Sequence, residues 1–472
     1  MKQYSLIRKV TVAMWKRGVK AQFLVLINLM PLFLRQYFNR ASHRNHMLDH
    51  TFLMGGDRCV QPGSSSIINT SNPRFSSNRK IGITLILSSI YIVFIILLFT
   101  NNSTAFGSSV QKINFWNIQQ KGANIFNHNV TSDDIKAAKK YGIKFIRLAL
   151  DKFTSSHRDF LIGDADDYRQ LIKEDLEQLK KILDICYQEK MPIVITMLSL
   201  PGSRWKQNNQ DKDDLRIWRD QRYQTQAALF WQDLAAVLKG HPTIVGYNLL
   251  NEPHPERIFA SKEAHINAVH QEEVQKMLYD FYSHIIKHIR LIDKETPIIL
   301  DSSAYADAKT FRLLMPQEDQ NVLYSFHMYE PYEYTNHQMN KGKYQYPGII
   351  NRKQWHQKAL TEYMSAVIQF QKTHNIASNQ ILVGEFGGHR ISAGLEKYFA
   401  DLIAIFNKEG WHFAFYAFRE DTWDGMDYEL GNKKLPWSYW QAVECGENPE
   451  LNRRSTYPAF SIIKEALDEN QQ

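Results

Sequence analysis

Short apolar runs alternate with amphipathic stretches along residues 114–470 of the chain. The apolar runs are hydrophobic throughout instead of alternating with polar residues, which is typical of strands buried on both faces. Eight such runs occur: Gln120–Phe126, Ile143–Leu150, Pro192–Leu198, Thr243–Leu250, Pro297–Asp301, Val322–Met328, Ile381–Phe386 and Phe413–Phe418. We interpret each of them as a β-strand.

Between these runs, apolar residues recur at every third or fourth position, which is the spacing of one helix face. The predicted helices are Asp133–Lys140, Tyr168–Glu189, Arg222–Lys239, Glu263–Ile292, the short Phe311–Met315, Lys353–His374, Ala393–Lys408 and Pro458–Glu469. Eight strand–helix repeats in about 355 residues predict an α/β fold, the (β/α)8 or TIM barrel. A doubly wound open sheet is the alternative, but the glycine-rich nucleotide-binding motifs that usually accompany it are missing.

The segment before the barrel has a different pattern. Residues 81–100, IGITLILSSIYIVFIILLFT, are uncharged and mostly large and apolar, and a helix of this length spans about 30 Å of hydrocarbon. Lys80 precedes them and the next charged residue is Lys112. The positive-inside rule therefore predicts a cytoplasmic N-terminus and an exported domain, periplasmic or extracellular.

The predicted organisation has four parts. They are a basic N-terminal segment at 1–80, a transmembrane or signal-anchor helix at 81–100, a linker at 101–113 and the barrel at 114–470. Small residues near Ala105 suit a signal peptidase, in which case the domain is secreted. A translation start further downstream, at Met47 or Met54, is the other alternative to an uncleaved anchor.

The net charge of +8 belongs to the N-terminal segment. Residues 1–80 contain 13 Lys and Arg but only 2 Asp and Glu, which leaves 44 basic and 47 acidic side chains, a net charge of −3, in the rest of the chain. The basic pI therefore gives no reason to expect a nucleic acid partner. Three cysteines are too few for a disulfide framework. A single disulfide bond between Cys186 and Cys445 is kept as an alternative.

Polar residues lie at the ends of several predicted strands, where the active sites of such barrels are found. They are Arg147 on the second strand, Asn251 and Glu252 after the fourth, His327 and Tyr329 at the sixth and Glu385 on the seventh. Because successive side chains of a strand point to opposite faces, Asn251 and Glu252 both reach one pocket only if the strand breaks before Pro253.

Two carboxyl groups that face each other in a sugar-sized cleft suit the cleavage of a glycosidic bond. One must be protonated to give its proton to the leaving oxygen, and the other must be ionised to attack the anomeric carbon. We expect Arg147 to keep Glu385 ionised, whereas burial and the charge of Glu385 raise the pKa of Glu252. His327 and Tyr329 can donate hydrogen bonds toward the nucleophile and the sugar, and Asn251 can hold a sugar hydroxyl.

The motifs NLLNEP, SFHMY and LVGEFG, in this order, resemble those of glycoside hydrolase family 5, the cellulase family. The resemblance covers residues 114–470 and implies a TIM barrel with catalytic glutamates on strands four and seven. It implies that Glu252 is the acid/base and Glu385 the nucleophile, that Asn251 binds a hydroxyl, and that His327 and Tyr329 are the strand-six pair. It also implies retention of anomeric configuration, β-linked glucans or mannans as substrates, and no metal or organic cofactor.

Two positions depart from the family's pattern. Leu198 stands where a histidine usually precedes Pro-Gly after strand three. Strand eight usually supplies a tryptophan beneath the cleaved sugar, whereas this chain has Tyr416 at that place and Trp423 in the following loop. Both aromatic residues are predicted to contact substrate.

The leading hypothesis is a cellulase-like, retaining endo-β-glucanase that is membrane-anchored or secreted. Other β-glycan specificities (a mannanase, an exo-β-1,3-glucanase or a glycolipid hydrolase) stay open. A catalytically silent carbohydrate-binding barrel is the alternative of a different class. The departures at Leu198 and strand eight favour it, but the two intact glutamates disfavour it.

Overall fold

The computed structural model describes residues 109–259, 268–419, 424–447 and 449–468. Eight strands within these ranges correspond to the eight predicted runs. They are β1 (Lys121–Ile125), β2 (Ile146–Ala149), β3 (Ile193–Thr196), β4 (Ile244–Asn248), β5 (Ile298–Asp301), β6 (Val322–Met328), β7 (Ile381–Phe386) and β8 (His412–Phe415). Every residue of all eight is buried, as the continuous hydrophobic runs predict.

The eight strands close into a barrel in which each strand pairs with its neighbours in sequence and β8 pairs with β1. All of these pairings are parallel. The predicted (β/α)8 barrel is therefore confirmed, and the open sheet is excluded because the order closes on itself. The carboxyl ends of all the strands lie at one rim.

Amphipathic helices follow the strands and cover the outside of the barrel. The longer ones are Ser132–Lys140, Lys173–Gln188, Gln221–Leu238, Ala268–Ile292, Gln357–Tyr363, Ser365–His374, Leu395–Glu409 and Pro458–Asp468. The first begins with a capping box, in which Thr131 accepts from the Asp134 amide and the Asp134 side chain accepts from the Thr131 amide. The predicted short helix near Phe311 is a 3-10 helix, Ala308–Leu313.

The prediction of one helix over Lys353–His374 is wrong at its start. Lys353–Trp355 pairs antiparallel with Gly348–Ile350 in a small hairpin, and two helices follow it. A helix, Ser109–Asn114, also begins inside the predicted linker. These differences lie outside the barrel strands and leave the site unchanged.

An indole ring closes the amino-terminal end of the barrel. Trp116 packs on an internal layer to which six strands contribute one residue each, and its Nε1 donates to the Val245 carbonyl over 2.9 Å. These buried apolar side chains form a packed core at the amino-terminal end of the barrel. Polar residues of the barrel interior therefore concentrate toward the opposite rim.

Two other predictions concern the cysteines and the membrane segment. Cys186 is buried and Cys445 is exposed, and both are free thiols, so the bridge between them is not formed. Within the described ranges, every helix is too short or too polar to cross a membrane. The predicted membrane segment, residues 81–100, lies outside those ranges.

Candidate active site

Arg147 on β2 is the centre of a buried polar layer at the carboxyl rim. Its side chain is fully buried, and its Nη1 donates to Glu385 Oε1 over 2.6 Å. The other N–H groups donate to the side-chain oxygens of three asparagines: Asn124 at 2.9 Å, Asn248 at 3.0 and 2.7 Å and Asn251 at 2.6 Å. All five N–H groups of the guanidinium therefore donate hydrogen bonds, whereas a lysine has only three donors.

Glu385 lies on β7 and is held through both of its oxygens. Oε1 accepts from Arg147, and Oε2 accepts from the Tyr329 hydroxyl over 2.7 Å. Gly384 makes room beside it, since a Cβ there would lie 2.6 Å from Ser325 Oγ on the neighbouring strand. Hydrogen bonds from two directions fix the position of this carboxyl group.

Glu252 reaches the same rim by a different route. Strand β4 ends at Asn248, and the backbone of Glu252 is left-handed, with φ 52°. The predicted break before Pro253 is confirmed, and it brings both Asn251 and Glu252 to the site. Outside glycine this conformation costs roughly 1–2 kcal/mol, and the Glu252 amide donates to Asp301 Oδ2 over 3.2 Å.

His327 on β6 lies between the two carboxyl groups. Its Nδ1 is 2.9 Å from Glu252 Oε1 and 3.7 Å from Glu385 Oε2. One oxygen of each glutamate and a ring nitrogen of His327 all lie within 4.8 Å of one another. The two acidic side chains therefore meet at one rim of one barrel, close enough to flank a single anomeric carbon.

The surroundings of these groups shift their pKa values. Burial, then the nearby charges of Glu385 and Asp301, raises the pKa of Glu252 against the opposing effect of His327. Burial alone lowers the pKa of His327, but the carboxylates of Glu385, Glu252 and Asp301 outweigh it and the pKa is raised. Burial and Glu385 raise the pKa of Tyr329 well above its usual value, so its hydroxyl stays a donor.

Three residues of the polar layer were not predicted from the sequence. Asn124, Asn248 and Asp301 are fully buried at strands β1, β4 and β5. The Nδ2 of Asn248 donates to Asp301 Oδ1 over 3.2 Å, and Asn124 Nδ2 donates to the Gly384 carbonyl over 2.9 Å. The only signal in the sequence was a polar residue within or at the end of an apolar run, and burial of such a group requires partners.

The two departures from the family pattern lie together. Leu198 is buried in an apolar patch with Phe126 and Ala149, and Tyr416 packs on this patch with its ring 5.3 Å from Phe126. The Leu198 amide donates to Asp151, and burial raises the pKa of that carboxyl to about 6. Tyr416 is thus at the predicted end of the barrel.

The other aromatic residue that was predicted to contact substrate is in the loop after β8. Trp423 lies outside the described residues. Trp205 is partly buried against the same apolar patch as Tyr416, and it adds a second ring on that side of the rim.

The turn that follows β5 has an unusual backbone. Ala304, Tyr305 and Ala306 all have left-handed backbones, with φ of 51°, 63° and 59°. Each such residue costs roughly 1–2 kcal/mol, and a run of them is rare outside glycine. The Tyr305 ring stacks on His254 at a centroid distance of 4.8 Å and an angle of 16°.

Among the described residues, Glu252, His327 and Glu385 are the group whose ligand atoms lie close enough to hold a metal ion. Oxygen or nitrogen atoms of all three side chains already have partners within the protein. Both oxygens of Glu385 already accept from Arg147 and Tyr329, and His327 Nδ1 already faces Glu252. The arginine cation in direct contact with Glu385 opposes a second cation there.

Comparison with known proteins identifies the family of the chain. A family model described as Cellulase (glycosyl hydrolase family 5) matches residues 104–442. The chain belongs to glycosyl hydrolase family 5. By family it is therefore a glycosidase.

Several proteins of this kind are similar to the chain. Endoglucanase C of Acetivibrio thermocellus is 21% identical over 339 residues, which cover 65% of this chain and 88% of that protein. Cellodextrinase A of Ruminococcus flavefaciens is 24% identical over 208 residues, covering 44% of this chain. The match thus spans 53%, about half, of the length of that relative.

Solved structures resemble the barrel as well. A structure of Thermotoga maritima Cel5A in complex with mannotriose has a TM-score of 0.51 and 17% identity, covering 75% of this chain and 99% of that one. The endoglucanase Cel5A of Pseudomonas stutzeri has a TM-score of 0.51 and 18% identity, covering 75% and 97%. At this identity the likeness concerns the fold alone.

Proposed function

We propose that this family 5 enzyme is a retaining β-glycosidase that cleaves a β-linked glucan by double displacement. The observation that carries the proposal is the separation of the two carboxyl groups. Oxygens of Glu252 and Glu385 lie within 4.8 Å of each other. Retaining glycosidases have about 5–5.5 Å between their carboxyl groups, whereas inverting ones need about 6.5–9.5 Å to admit a water molecule.

In the first step, a carboxylate oxygen of Glu385 forms a bond to the anomeric carbon. The bond from that carbon to the leaving oxygen breaks, and the proton of Glu252 moves to this oxygen. Arg147 and Tyr329 hold Glu385 in the attacking geometry. The raised pKa of Glu252 keeps the proton available for the transfer.

The products of this step are a glycosyl ester on Glu385 and an ionised Glu252. Formation of the ester removes the negative charge of Glu385, which is one of the causes that raise the pKa of Glu252. Glu252 is then suited to act as a base. It takes a proton from water, the water oxygen bonds to the anomeric carbon, and the ester bond breaks to release Glu385. Two inversions at one carbon give net retention.

For the substrate we propose a β-1,4-linked glucan cleaved internally. The names of the relatives support a β-glucan, since two of them are called an endoglucanase and a cellodextrinase. Mannan is the second candidate because a neighbouring structure holds mannotriose. The long loops after β6 and β8 are expected to set the shape of the cleft, an open groove favouring endo and a closed pocket exo action.

The test is hydrolysis of soluble β-1,4-glucan, β-1,3-glucan and mannan and of chromogenic β-glycosides, with the lengths of the products measured. Wild type is expected to cleave at least the glucan, and Glu385→Gln is expected to be inactive although its fold is unchanged. If wild type binds these polysaccharides without cleaving any, the chain is a silent binding barrel. Equal hydrolysis by both proteins contradicts the role of Glu385.

We also propose that the enzyme acts outside the cytoplasm, held by residues 81–100 or secreted after cleavage near Ala105. The apolar, uncharged segment that follows Arg79 and Lys80 supports this proposal. Fractionation of cells that express the full chain tests it. Activity in the membrane fraction that is exposed to external protease supports an anchor, activity in the medium supports secretion, and cytoplasmic activity contradicts both.

A further inference from the structure

We propose that a basic pocket beside the active site binds a negatively charged sugar unit, so that the enzyme cleaves an acidic β-glucan in preference to a neutral one. The inference rests on the proposed function, since it narrows the substrate class of the same catalytic pair. The segments that follow β6, β7 and β8 form this basic pocket, whose volume of about 410 Å³ is in the range of ligand sites. Its lining includes His337, His389, Arg390, Lys434, Trp437 and Trp440.

A short stretch of backbone connects the basic pocket to the catalytic centre. His389 follows Glu385 by four residues, which span at most about 14 Å. Between them, the Gly388 amide donates to the Tyr428 hydroxyl over 3.1 Å, and this hydroxyl donates to the Tyr416 carbonyl over 2.6 Å. A glucan chain bound at the catalytic pair therefore needs to extend by only a few sugar units along this side of the rim to reach the pocket.

Contacts between the three segments give the pocket a fixed frame. Arg390 is 2% exposed, and its Nη1 donates to the Gly431 carbonyl over 2.8 Å and to the Lys433 carbonyl. These bonds tie the segment after β7 to the segment after β8. The segment after β6 joins them through the His337 ring, which stacks on His389 at a centroid distance of 4.0 Å and an angle of 19°. The pocket is thus preformed, which lowers the entropic cost of binding a ligand.

The pocket is basic although the chain around it is not. Residues 81–472 carry 44 basic and 47 acidic side chains, a net charge of −3. The lining nevertheless combines a lysine, an arginine and two histidines with no acidic side chain. Lys434 is exposed and forms no ion pair within the described part of the chain. Since ammonium and imidazole N–H groups donate to carboxylate or phosphate oxygens, this lining favours a negatively charged ligand.

The segment after β8 also contributes two tryptophans to the pocket. Trp437 and Trp440 lie on the helix Trp437–Glu444, which has no buried residue, and Trp437 is 67% exposed. Exposed aromatic side chains that line a pocket mark a binding surface, and indole faces pack well against the C–H faces of sugar rings. Lys434 lies three residues before the first of them. Aromatic faces beside a cation suit a sugar that carries an acidic group better than a small inorganic anion.

The experiment compares kcat/KM for a β-1,4-glucan that is partly oxidised at C6 to glucuronate with kcat/KM for neutral hydroxyethylcellulose. In Lys434→Glu the ratio of the two is expected to fall about tenfold, because one attraction is lost and one repulsion is added. Lys433→Glu makes the same change of charge at the neighbouring exposed residue, whose side chain does not line the pocket. It is the matched control and is expected to keep the ratio within about twofold of wild type.

Two further arms test the aromatic face and the nature of the anionic group. Trp437→Ala is expected to lower kcat/KM for the oxidised glucan about fivefold, the size of one lost stacking contact, whereas Trp437→Phe keeps a ring and retains most of it. A β-1,4-glucan that is phosphorylated at C6 replaces the carboxylate by a phosphate. The polymer on which Lys434→Glu loses more identifies the anionic group that the pocket binds.

The inference is overturned if Lys434→Glu and Lys433→Glu give the same ratios on both acidic polymers, or if wild type cleaves acidic and neutral polymers equally well. The proposed function then still stands. Failure of wild type to hydrolyse any of the polymers overturns the proposed function and, with it, this inference. Because each ratio is taken within one protein preparation, a misfolded fraction of a variant does not alter it.

Discussion

The two glutamates that we propose as catalytic differ in how the protein holds them. Glu385 is within a strand, and its side chain is 6% exposed and bonded to Arg147 and Tyr329. Glu252 lies beyond the end of its strand on a left-handed residue, and its side chain is 31% exposed. At the same rim, Glu385 is thus part of a barrel strand, whereas Glu252 lies on the segment that follows a strand.

This difference suits the two chemical tasks that we propose for these residues. A nucleophile must be aligned with one carbon, which a buried arginine and a strand position provide. An acid/base must exchange its proton with leaving groups and water, which requires a more open position and a raised pKa. We therefore expect substitutions near Glu385 to affect every substrate alike. Substitutions near Glu252 should depend on the leaving group and on pH.

The largest effect is expected for Glu252→Ala on substrates with poor leaving groups. General acid catalysis contributes about 10²–10⁴-fold, so kcat/KM for oligosaccharides should fall by that range, while aryl glycosides with good leaving groups should form the glycosyl ester at nearly the normal rate. Steady-state and burst kinetics across a series of leaving groups measure this. Equal losses of the ester-forming rate on all substrates would contradict the role of Glu252.

The raised pKa of Glu252 predicts how the activity depends on pH. The proposed mechanism needs Glu252 protonated for the first step, and burial with the charges of Glu385 and Asp301 raises its pKa above the ordinary 4.5. Activity should therefore persist above that pH and fall only as pH rises through the raised pKa. This alkaline limb of kcat/KM should be absent in Glu252→Ala. Its persistence in that variant would assign the limb to another group.

Arg147→Met tests the other half of the comparison. Removal of a fully buried cation leaves Glu385 and Asp301 without compensation, which costs about 3–5 kcal/mol of the free energy of unfolding. Arg147→Lys keeps the charge but cannot supply all of the hydrogen bonds, so about 10²-fold of kcat should be lost on every substrate. Denaturant unfolding and kinetics on good and poor leaving groups measure both. A loss of kcat confined to substrates with poor leaving groups would contradict the proposed difference between the two glutamates.

Tyr329→Phe should have a smaller effect of the same kind. It removes one hydrogen bond to Glu385, and a bond to a charged group contributes about 1.5–3 kcal/mol. We expect kcat to fall roughly 10- to 100-fold for all leaving groups, since the nucleophile and not the acid is disturbed. An unchanged kcat would show that Arg147 alone holds Glu385.

The smallest effect is expected at the rim. Ala304→Gly should raise the free energy of unfolding by about 1 kcal/mol because glycine adopts a left-handed backbone without strain. The matched control is Ala137→Gly in the helix Ser132–Lys140, where the same change should lower stability by about 1 kcal/mol. Thermal unfolding compares the two. Effects of the same sign would contradict the strain at Ala304.

The sequence predicted the strands and the strand-borne residues well for a physical reason. Runs buried on both faces are long and unmixed, and polar residues at their ends stand out, as Arg147, His327 and Glu385 do. Asn124 and Asp301 were missed because nothing in the sequence shows which partners a polar residue of such a run bonds to. Only the closed barrel shows that they share one hydrogen-bonded layer.

The rim was less predictable. The break at Glu252 could be inferred because Pro253 follows it. Nothing in the letters of Ser303–Ala306 indicates a left-handed turn, since that conformation is enforced by distant contacts such as the one from Glu256. The hairpin that includes Lys353–Trp355 was missed for another reason. The helical spacing of apolar residues continues through this segment.

The stereochemistry of the first product tests the central claim most directly. Proton NMR during hydrolysis of a β-glycoside records the anomeric configuration of the new reducing end before it mutarotates. Because oxygens of Glu252 and Glu385 lie within 4.8 Å of each other, the β-anomer should appear first. Initial appearance of the α-anomer would mean a single displacement by water, and it would contradict the assignment of Glu385 as nucleophile.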